Sequence, residues 1–177
     1  MKQLIEYITV EEFSKLMRAE KGKKFRLAYL LAFGSGLRIS EIIGYKRKDN
    51  KEIKPLTADQ VNIKANQIRI IGGKGMKDRI VPVPPRFTDD HLKMLPLQIK
   101  RSTLQAHFKA LCKRILKKPC NFHMLRHGFA NFLVNEKNVP LPYVQQLMGH
   151  SRLDTTGIYT KANPVKAIAA ATEAWGI

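Results

Sequence analysis

Acidic residues are scarce in this chain of 177 residues. Asp and Glu together number 14, against 32 Lys and Arg, which gives a formal net charge of +18 and a pI near 10.1. Such a charge repels itself in the folded state and is usually matched by a polyanionic partner. Nucleic acid is therefore the first candidate partner, and an anionic membrane surface is the second.

Long apolar runs and cysteines are also few. No apolar stretch approaches the length of a spanning helix, and the N-terminus lacks the basic-then-apolar order of a signal peptide, so we expect no membrane insertion. Cys112 and Cys120 are too few for a metal site of their own, and they favour a reduced, cytosolic protein. The sequence also lacks the kind of carboxylate cluster that holds a metal ion.

Helical patterns dominate the first part of the chain. Thr9 followed by Glu12 forms a capping box, which predicts a helix that runs to about Lys21. The apolar stretch 25–33 predicts a buried helix, and a short helix is expected over 37–43. A polar, lysine-rich loop is expected to follow these helices, over residues 45–54.

The hydrophobic period then changes. Alternating apolar residues between positions 61 and 83 predict a small antiparallel sheet of three strands, with turns at Asn66 and 72–75. Helical spacing returns afterwards, and helices are expected from Ser102 as N-cap, over 123–136, over 140–148 and from Pro164. We therefore expect one mixed α/β domain, mostly helical, with a small three-stranded antiparallel sheet.

The motif HMLRH places three polar residues at helical spacing. His123, Arg126 and His127 are three and four positions apart, so they share one helix face, roughly opposite the helix's own apolar stripe. Such a face suits phosphate binding. Taken alone, the motif is better explained as a solvated polar face.

Arg38 follows Gly34 and Gly36, where the backbone can approach a ligand closely. Its planar guanidinium suits two phosphate oxygens at once. The alternative is a salt bridge to Glu41, which can equally serve to orient the arginine. Lys74 lies in the turn GGKG between two predicted strands, where an ammonium can protonate a departing oxygen, although an ordinary hairpin lysine explains it too.

Two further residues have similar double interpretations. His150 follows Gly149 at a predicted helix end, where the helix dipole favours a basic residue. Tyr159 in TTGIYTK has a hydroxyl that can act as a nucleophile, but a lone tyrosine most often packs against the core.

The set of motifs is more specific than any member. In order, GSGLRISE, GGKGMKDRIVPVP, HMLRHGFA, LMGHS and TTGIYTK resemble the signature boxes of the tyrosine recombinases, the integrase and Xer-type site-specific recombinases. The resemblance spans about Thr9 to Lys161.

The resemblance implies a role for each matching residue. Arg38 and Arg126 would clamp the scissile phosphate and stabilise its pentavalent transition state. Lys74 would protonate the departing 5′-hydroxyl, with Lys77 as a second candidate because GGKG carries an extra glycine.

Tyr159 would attack the phosphorus and form a 3′-phosphotyrosyl link. His123 and His150 would complete the hydrogen-bonding cage, with His123 preferred as the acceptor of the tyrosine proton. Glu41 and His127 would orient these residues without contacting the phosphate themselves. Because the ester conserves the bond energy, no cofactor, neither ATP nor metal, is required. Basic residues expected to contact DNA are Lys77, Arg79, Lys109, Lys113 and Lys117.

Some features depart from the family pattern. The family's usual N-terminal DNA-clamping domain is not found ahead of these motifs, so we expect either a piece of a longer protein or a minimal one. The segment between Arg38 and Lys74 is longer than usual, and Lys161 stands where a histidine is common. We divide the chain into a catalytic domain, 1–162, and a C-terminal helix, 163–177, which packs either on its own core or on a neighbouring subunit.

The expected function is site-specific recombination of double-stranded DNA by a homotetramer. The expected location is the cytoplasm, at the nucleoid, or the host cell of a virus or plasmid. A type IB topoisomerase-like or resolving enzyme is one alternative, since it would use the same residues. A non-catalytic DNA-binding fragment of an integrase is the other.

Overall fold

The computed structural model describes residues 6–46, 52–72, 78–149 and 163–176. Its helices are α1 (Val10–Ala19), α2 (Lys23–Gly34), α3 (Ile39–Ile43), α4 (Asp89–Leu92), α5 (Arg101–Leu116), α6 (His123–Asn131), α7 (Leu141–Met148) and α8 (Pro164–Trp175). Its strands are β1 (Tyr45–Lys46), β2 (Glu52–Ile53), β3 (Val61–Asn62), β4 (Gln67–Ile70) and β5 (Arg79–Val81). A 3₁₀ turn (Ala58–Gln60) precedes β3, and a π-helical segment (Phe132–Glu136) continues α6. The expected fold class, mostly helical with a small antiparallel sheet, is confirmed.

The predicted capping box at the start of α1 is present. The Thr9 hydroxyl accepts from the backbone N–H of Glu12, and the Glu12 carboxylate accepts from the backbone N–H of Thr9. An N-cap of this kind is worth about 1 kcal/mol. The second predicted cap is wrong, because α5 begins at Arg101, one residue before Ser102, and its N-cap Lys100 makes no side-chain cap bond.

Helix α2 lies at the centre of the core and packs against α6. Residues 27–34 of α2 are all buried, as expected of a helix that is apolar on every side. The two helices approach closely at Gly128 of α6, where an added Cβ would lie 2.6 Å from the Phe33 ring and would also contact the Ile8 carbonyl oxygen. This glycine therefore fixes α6, and the HMLRH residues on it, against α2.

The predicted three-stranded sheet has the order β3-β4-β5 and is antiparallel throughout. Asn66 forms the predicted turn, with a positive φ of 52°. On β5 the buried residues are Arg79 and Val81, while Ile80 is only half-buried. Arg79 therefore faces the inside of the domain, on the same side of the strand as Val81.

The loop expected over 45–54 is instead the base of a hairpin, in which β1 pairs with β2. The backbone of Tyr45 opposes Ile53, and Lys46 opposes Glu52. Because none of these four side chains is buried, the pairing leaves no alternating hydrophobic pattern to detect.

Helices α7 and α8 pack on each other at one end of the domain. Ala167, Ile168 and Ala171 of α8 are buried in the chain's own core, and the Trp175 ring stacks on Phe132 with centroids 4.3 Å apart. Within this single chain α8 packs on its own core, and its placement on a neighbouring subunit stays a prediction. None of the helices in the described ranges combines the length and apolar character needed to cross a bilayer.

Candidate active site

Three chain segments that are remote in sequence meet at one place. They are the α2–α3 junction with Gly36 and Arg38, the buried face of α6 with Arg126, and the carboxyl end of α7 with Met148. Gly36 has a φ of +68°, and an added Cβ there would lie 2.6 Å from the Phe129 ring of α6. Glycine is therefore required for the junction to approach α6.

Arg126 is the most enclosed member of the site, with 2% of its surface exposed. Its guanidinium donates to the carbonyl oxygens of Gly36 and Met148. The face of α6 predicted to be solvated is therefore partly buried, since other elements cover it. Burial, and then the charges of Arg38 and Arg79, lower the Arg126 pKa to about 9, so the side chain stays protonated at neutral pH.

Arg38 occupies the N-cap position of α3. Its Nη1 donates to Glu41 Oε1 at 3.0 Å, and its Nη2 lies 3.4 Å from the Met148 carbonyl oxygen and 3.5 Å from that of Gly149. A quarter of its side chain, 25%, remains exposed. The guanidinium thus contacts Glu41 and the end of α7 while part of it stays exposed, and both interpretations of Arg38, ion pair and anion ligand, fit its position.

Glu41 lies beneath Arg38 and is only 3% exposed. Its carboxylate accepts a hydrogen bond from the Arg38 backbone N–H at 2.7 Å. It also accepts hydrogen bonds from Nη1 and Nη2 of Arg79, at 2.8 Å and 2.9 Å. Burial alone would raise the pKa of this carboxyl, but the hydrogen bonds and charge of Arg79, then those of Arg38, outweigh it and lower the pKa to about 2. Glu41 is therefore ionised under all ordinary conditions.

The structure places Arg79 differently from the DNA-contacting position expected for it. Only 9% of the residue is exposed, and its Nε donates to the Leu147 carbonyl oxygen at 2.9 Å while the other two nitrogens bind Glu41. Facing inward from β5, its guanidinium is directed away from any external phosphate. The sequence does indicate this inward position, because alternate residues of a strand face the same side and Arg79 alternates with Val81 and Val83, which are both buried.

His123 and His127 lie one turn apart on α6, with their rings edge to face and their centroids 4.8 Å apart. Burial and the neighbouring positive charges lower both pKa values. For His123 the causes after burial are His127, Arg126 and Arg38, and for His127 the further cause is Arg126. Both imidazoles are thus neutral at neutral pH, and a neutral imidazole can accept a proton.

Helix α5 has an exposed face that carries two of the predicted DNA contacts, Lys109 and Lys113, while Phe108 and Cys112 are buried on its other side. Lys117 is also exposed and forms the C-cap of the helix in a left-handed conformation. Their contact with DNA stays a prediction. Cys112 and Cys120 are both buried and free, as expected.

Four predicted site residues lie outside the described ranges: Lys74, Lys77, His150 and Tyr159. The described chain reaches the residues next to them. Gly72 and Asp78 flank the segment with both lysines, and the backbone N–H of Gly72 donates to the Asp78 carboxylate at 2.9 Å. Gly149 precedes His150 and belongs to the site through its contacts with Arg38 and Arg79.

The described site has three guanidinium groups, from Arg38, Arg79 and Arg126, around the single carboxylate of Glu41. Because the positive charges exceed the negative one and all but Arg38 are buried, the site favours an anion at the exposed side of Arg38. Within the described ranges, no three His, Cys, Asp or Glu side chains come close enough together to hold a metal ion. The arrangement suits the binding of a phosphate oxyanion between arginines.

Comparison with known proteins identifies chains of similar sequence and fold. The phage integrase family matches residues 93–165. The tyrosine recombinase XerA of Thermococcus onnurineus strain NA1 is 33% identical over 179 residues, which cover 90% of this chain and 59% of that protein. The tyrosine recombinase XerA of Thermococcus kodakarensis is 34% identical over 175 residues, covering 87% of this chain and 57% of that protein. The chain thus spans less than two thirds of the length of the curated relatives it matches.

A solved structure has the same fold. The crystal structure of a XerA recombinase superposes with a TM-score of 0.64 at 22% identity, covering 99% of this chain and 66% of that one. The expected resemblance is therefore confirmed: the chain is similar to tyrosine recombinases over most of its length, and its fold is that of their catalytic domain.

Proposed function

We propose that the chain is the catalytic part of a site-specific DNA recombinase, which breaks and rejoins strands through a covalent link to Tyr159. The observation that carries this proposal is the convergence of Arg38 and Arg126 on the Met148 carbonyl oxygen. It brings the buried guanidinium of Arg126 and the partly exposed guanidinium of Arg38 to one carbonyl oxygen, next to Gly149. A phosphodiester held there would face both arginines.

The proposed reaction exchanges one phosphoester for another. The Tyr159 hydroxyl oxygen attacks the scissile phosphorus, the bond to the 5′-oxygen breaks, and the electron pair leaves with that oxygen. His123 accepts the phenolic proton, and Lys74, or alternatively Lys77, donates the proton that completes the 5′-hydroxyl. A 5′-hydroxyl from another strand then reverses the step, since the phosphotyrosine retains the energy of the broken bond.

Arg38 and Arg126 supply the electrostatic part of this reaction. As negative charge builds on the non-bridging oxygens, two fixed guanidinium groups stabilise it without reorganising. In an enclosed site, each such donor is worth about 10²–10³ in rate. Glu41 would hold Arg38 in place, and His127 would pack beside His123.

We further propose that the partner is duplex DNA and that four copies act together on it, inside the cell that contains the target sequence. The strongly basic composition supports a polyanionic partner. A lambda integrase whose fold is similar, with a TM-score of 0.57, is a tetramer bound to a Holliday junction. By analogy, two subunits would cleave one strand at each of two sites.

The test is covalent capture on DNA. The chain is incubated with a pool of nicked suicide duplexes, whose sequence is randomised on both sides of the nick, and the products are separated on a denaturing gel. A protein–DNA adduct that disappears in Tyr159→Phe is expected. DNA binding without any adduct would leave the non-catalytic fragment as the function, and an adduct that survives in Tyr159→Phe would assign the nucleophile to another residue.

A second arm separates recombination from the topoisomerase alternative. Supercoiled plasmid that lacks the sequence selected from the pool is not expected to be relaxed. Efficient relaxation of such a plasmid would replace the recombinase proposal with a topoisomerase.

A further inference from the structure

Arg79 lies on the inward face of β5, and all three of its guanidinium nitrogens are engaged. Nη1 and Nη2 donate to the two carboxylate oxygens of Glu41 at 2.8 Å and 2.9 Å, and Nε donates to the Leu147 carbonyl oxygen at 2.9 Å. The side chain is 6% exposed. Arg79 therefore joins the sheet to α3 on one side and to the end of α7 on the other.

Both partners of Arg79 lead directly to the phosphate-binding arginines. Glu41 binds Arg38 through the side-chain nitrogen at 3.0 Å and through the backbone N–H at 2.7 Å. Leu147 is followed by Met148, whose carbonyl oxygen accepts from Arg38 and Arg126. A shift of Arg79 would consequently move an anchor of each arginine.

The end of α7 is shaped around Arg79. At Gly149, where φ is +60°, an added Cβ would lie 2.9 Å from Arg79 Cδ and 3.2 Å from its Nε. The helix therefore ends in direct contact with the arginine's stem. A side chain at this position would displace Arg79.

Charge gives Arg79 a second effect on Arg38. Two guanidinium groups share the carboxylate of Glu41: that of Arg79 donates to both oxygens, while that of Arg38 donates to only one of them. Because Arg79 neutralises most of the Glu41 charge, the charge of Arg38 remains available to an anion at its exposed side. Lysine cannot reproduce this arrangement, since its single ammonium cannot form the planar two-point contact with a carboxylate and also reach the carbonyl.

We propose that Arg79 is a positioning residue, which sets the orientation and effective charge of Arg38 and the position of the carbonyl to which Arg126 is anchored. This inference rests on the proposed function. Arg79 touches neither DNA nor the scissile phosphate. It acts through Glu41 and the end of α7.

The test compares Arg79→Lys with Arg69→Lys. Arg69 is a matched control, because it lies on the adjacent strand β4 and forms an exposed ion pair with Asp78 at 3.5 Å. The rate of adduct formation is measured in single turnovers at saturating protein, with two versions of the selected suicide duplex. One has a natural scissile phosphate, and the other has a methylphosphonate, in which a methyl group replaces a charged non-bridging oxygen.

On the natural phosphate, Arg79→Lys should lower the rate by about 10²-fold, comparable to the loss of one transition-state donor. On the methylphosphonate, less charge develops for the arginines to stabilise, so the loss relative to the unaltered chain should shrink to below about 5-fold. The dissociation constant for DNA should change by less than about 3-fold, and Arg69→Lys should match the unaltered chain throughout. Equal losses on both substrates would show a merely structural role and overturn the proposal, as would no loss on either.

A second measurement does not depend on cleavage. In ¹⁵N NMR spectra of the arginine Nε–H groups, Arg79→Lys should shift the signals of Arg38 and Arg126, while Arg69→Lys should leave them in place. Unmoved signals would refute the positioning role even where the chain cleaves DNA. The two proposals can also fail separately. If the unaltered chain forms no adduct but the signals of Arg38 and Arg126 still shift in Arg79→Lys, the proposed function is rejected, while the coupling of the three arginines is retained.

Discussion

Arg38 and Arg126 share one hydrogen-bond acceptor, the carbonyl oxygen of Met148. The two arginines come from different helices, and the acceptor comes from a third. A last-turn carbonyl has no partner within its own helix, so it is free to accept side-chain donors. The end of α7 thus serves as the common anchor of the two arginines that are proposed to bind the scissile phosphate.

Arg126→Lys should separate chemistry from binding. A lysine can reach one of the two carbonyl oxygens but cannot hold both and still face a phosphate, because it lacks the planar fork. We expect the single-turnover rate of adduct formation to fall by about 10²–10³-fold, while affinity for DNA changes by less than about 3-fold. Arg18→Lys, on the exposed side of α1, is the control. A proportional loss of affinity and rate would mean that Arg126 contributes binding alone.

Glu41→Gln should destabilise the protein at neutral pH. The glutamine is nearly isosteric but leaves Arg79 buried without an ionised partner, a change that typically costs about 3–5 kcal/mol. Urea denaturation, with the free energy of unfolding extrapolated to water, measures this difference. A difference within experimental error would show that Arg79 is neutralised by another group.

The same variant tests the low pKa of Glu41. Its folded-state pKa, about 2, lies below its ordinary value of 4.5, so its ionisation stabilises the fold above pH 4.5, and the stabilisation is lost as the pH falls toward 2. The difference in unfolding free energy between the unaltered chain and Glu41→Gln should therefore shrink across this window. A difference independent of pH would contradict the assignment.

Most of the fold could be predicted from local patterns. Capping at Thr9, the buried α2 and the alternation around β4 are each set by residues near in sequence. The β1–β2 hairpin could not be predicted, because backbone pairing with exposed side chains leaves no hydrophobic period.

The geometry of the candidate site could not be predicted from the sequence. The motif resemblance selects Arg38 and Arg126, yet nothing in the sequence assigns the Met148 carbonyl as their shared acceptor, because that contact depends on packing between distant helices. Arg79 shows the same limit. Basic character suggested a DNA contact, whereas the strand register turned the side chain toward a buried carboxylate.

His123 predicts the pH dependence of cleavage. Its pKa is lowered from the usual 6.5, so it stays neutral and able to accept a proton down to a pH below 6.5. As the pH falls below that value, the logarithm of the single-turnover rate should decline, which gives the pH profile an acid limb. His123→Ala should cleave about 10²–10⁴-fold more slowly and lose the acid limb. His127→Ala is the control and should keep the limb, whereas a limb retained in His123→Ala would assign the base to another group.

Gly36→Ala should lower the free energy of unfolding much more than Gly176→Ala does, although both glycines have positive φ values, 68° and 72°. A left-handed conformation costs a non-glycine residue about 1–2 kcal/mol, which applies to both sites. At Gly36 the new Cβ would also lie 2.6 Å from Phe129, and overpacking adds about 1–3 kcal/mol, while nothing lies within 4 Å at Gly176. Urea denaturation of the two variants should give losses of about 3 and about 1 kcal/mol, and equal losses would mean that the junction relaxes away from α6.

Exposed lysines on α5 predict how DNA binding responds to salt. Each lysine–phosphate contact releases counterions, so removing one should reduce the slope of log K against log salt concentration by about 0.9. Lys109→Gln and Lys113→Gln should each have this effect and weaken binding similarly for every DNA sequence, since phosphate contacts do not read bases. Lys93→Gln serves as the control with an unchanged slope, because this lysine lies at the C-cap of α4 and pairs with Asp90 at 3.5 Å. If the α5 variants keep the full slope while Lys93→Gln reduces it, the DNA surface lies on the α4 side of the domain, and the prediction for α5 is wrong.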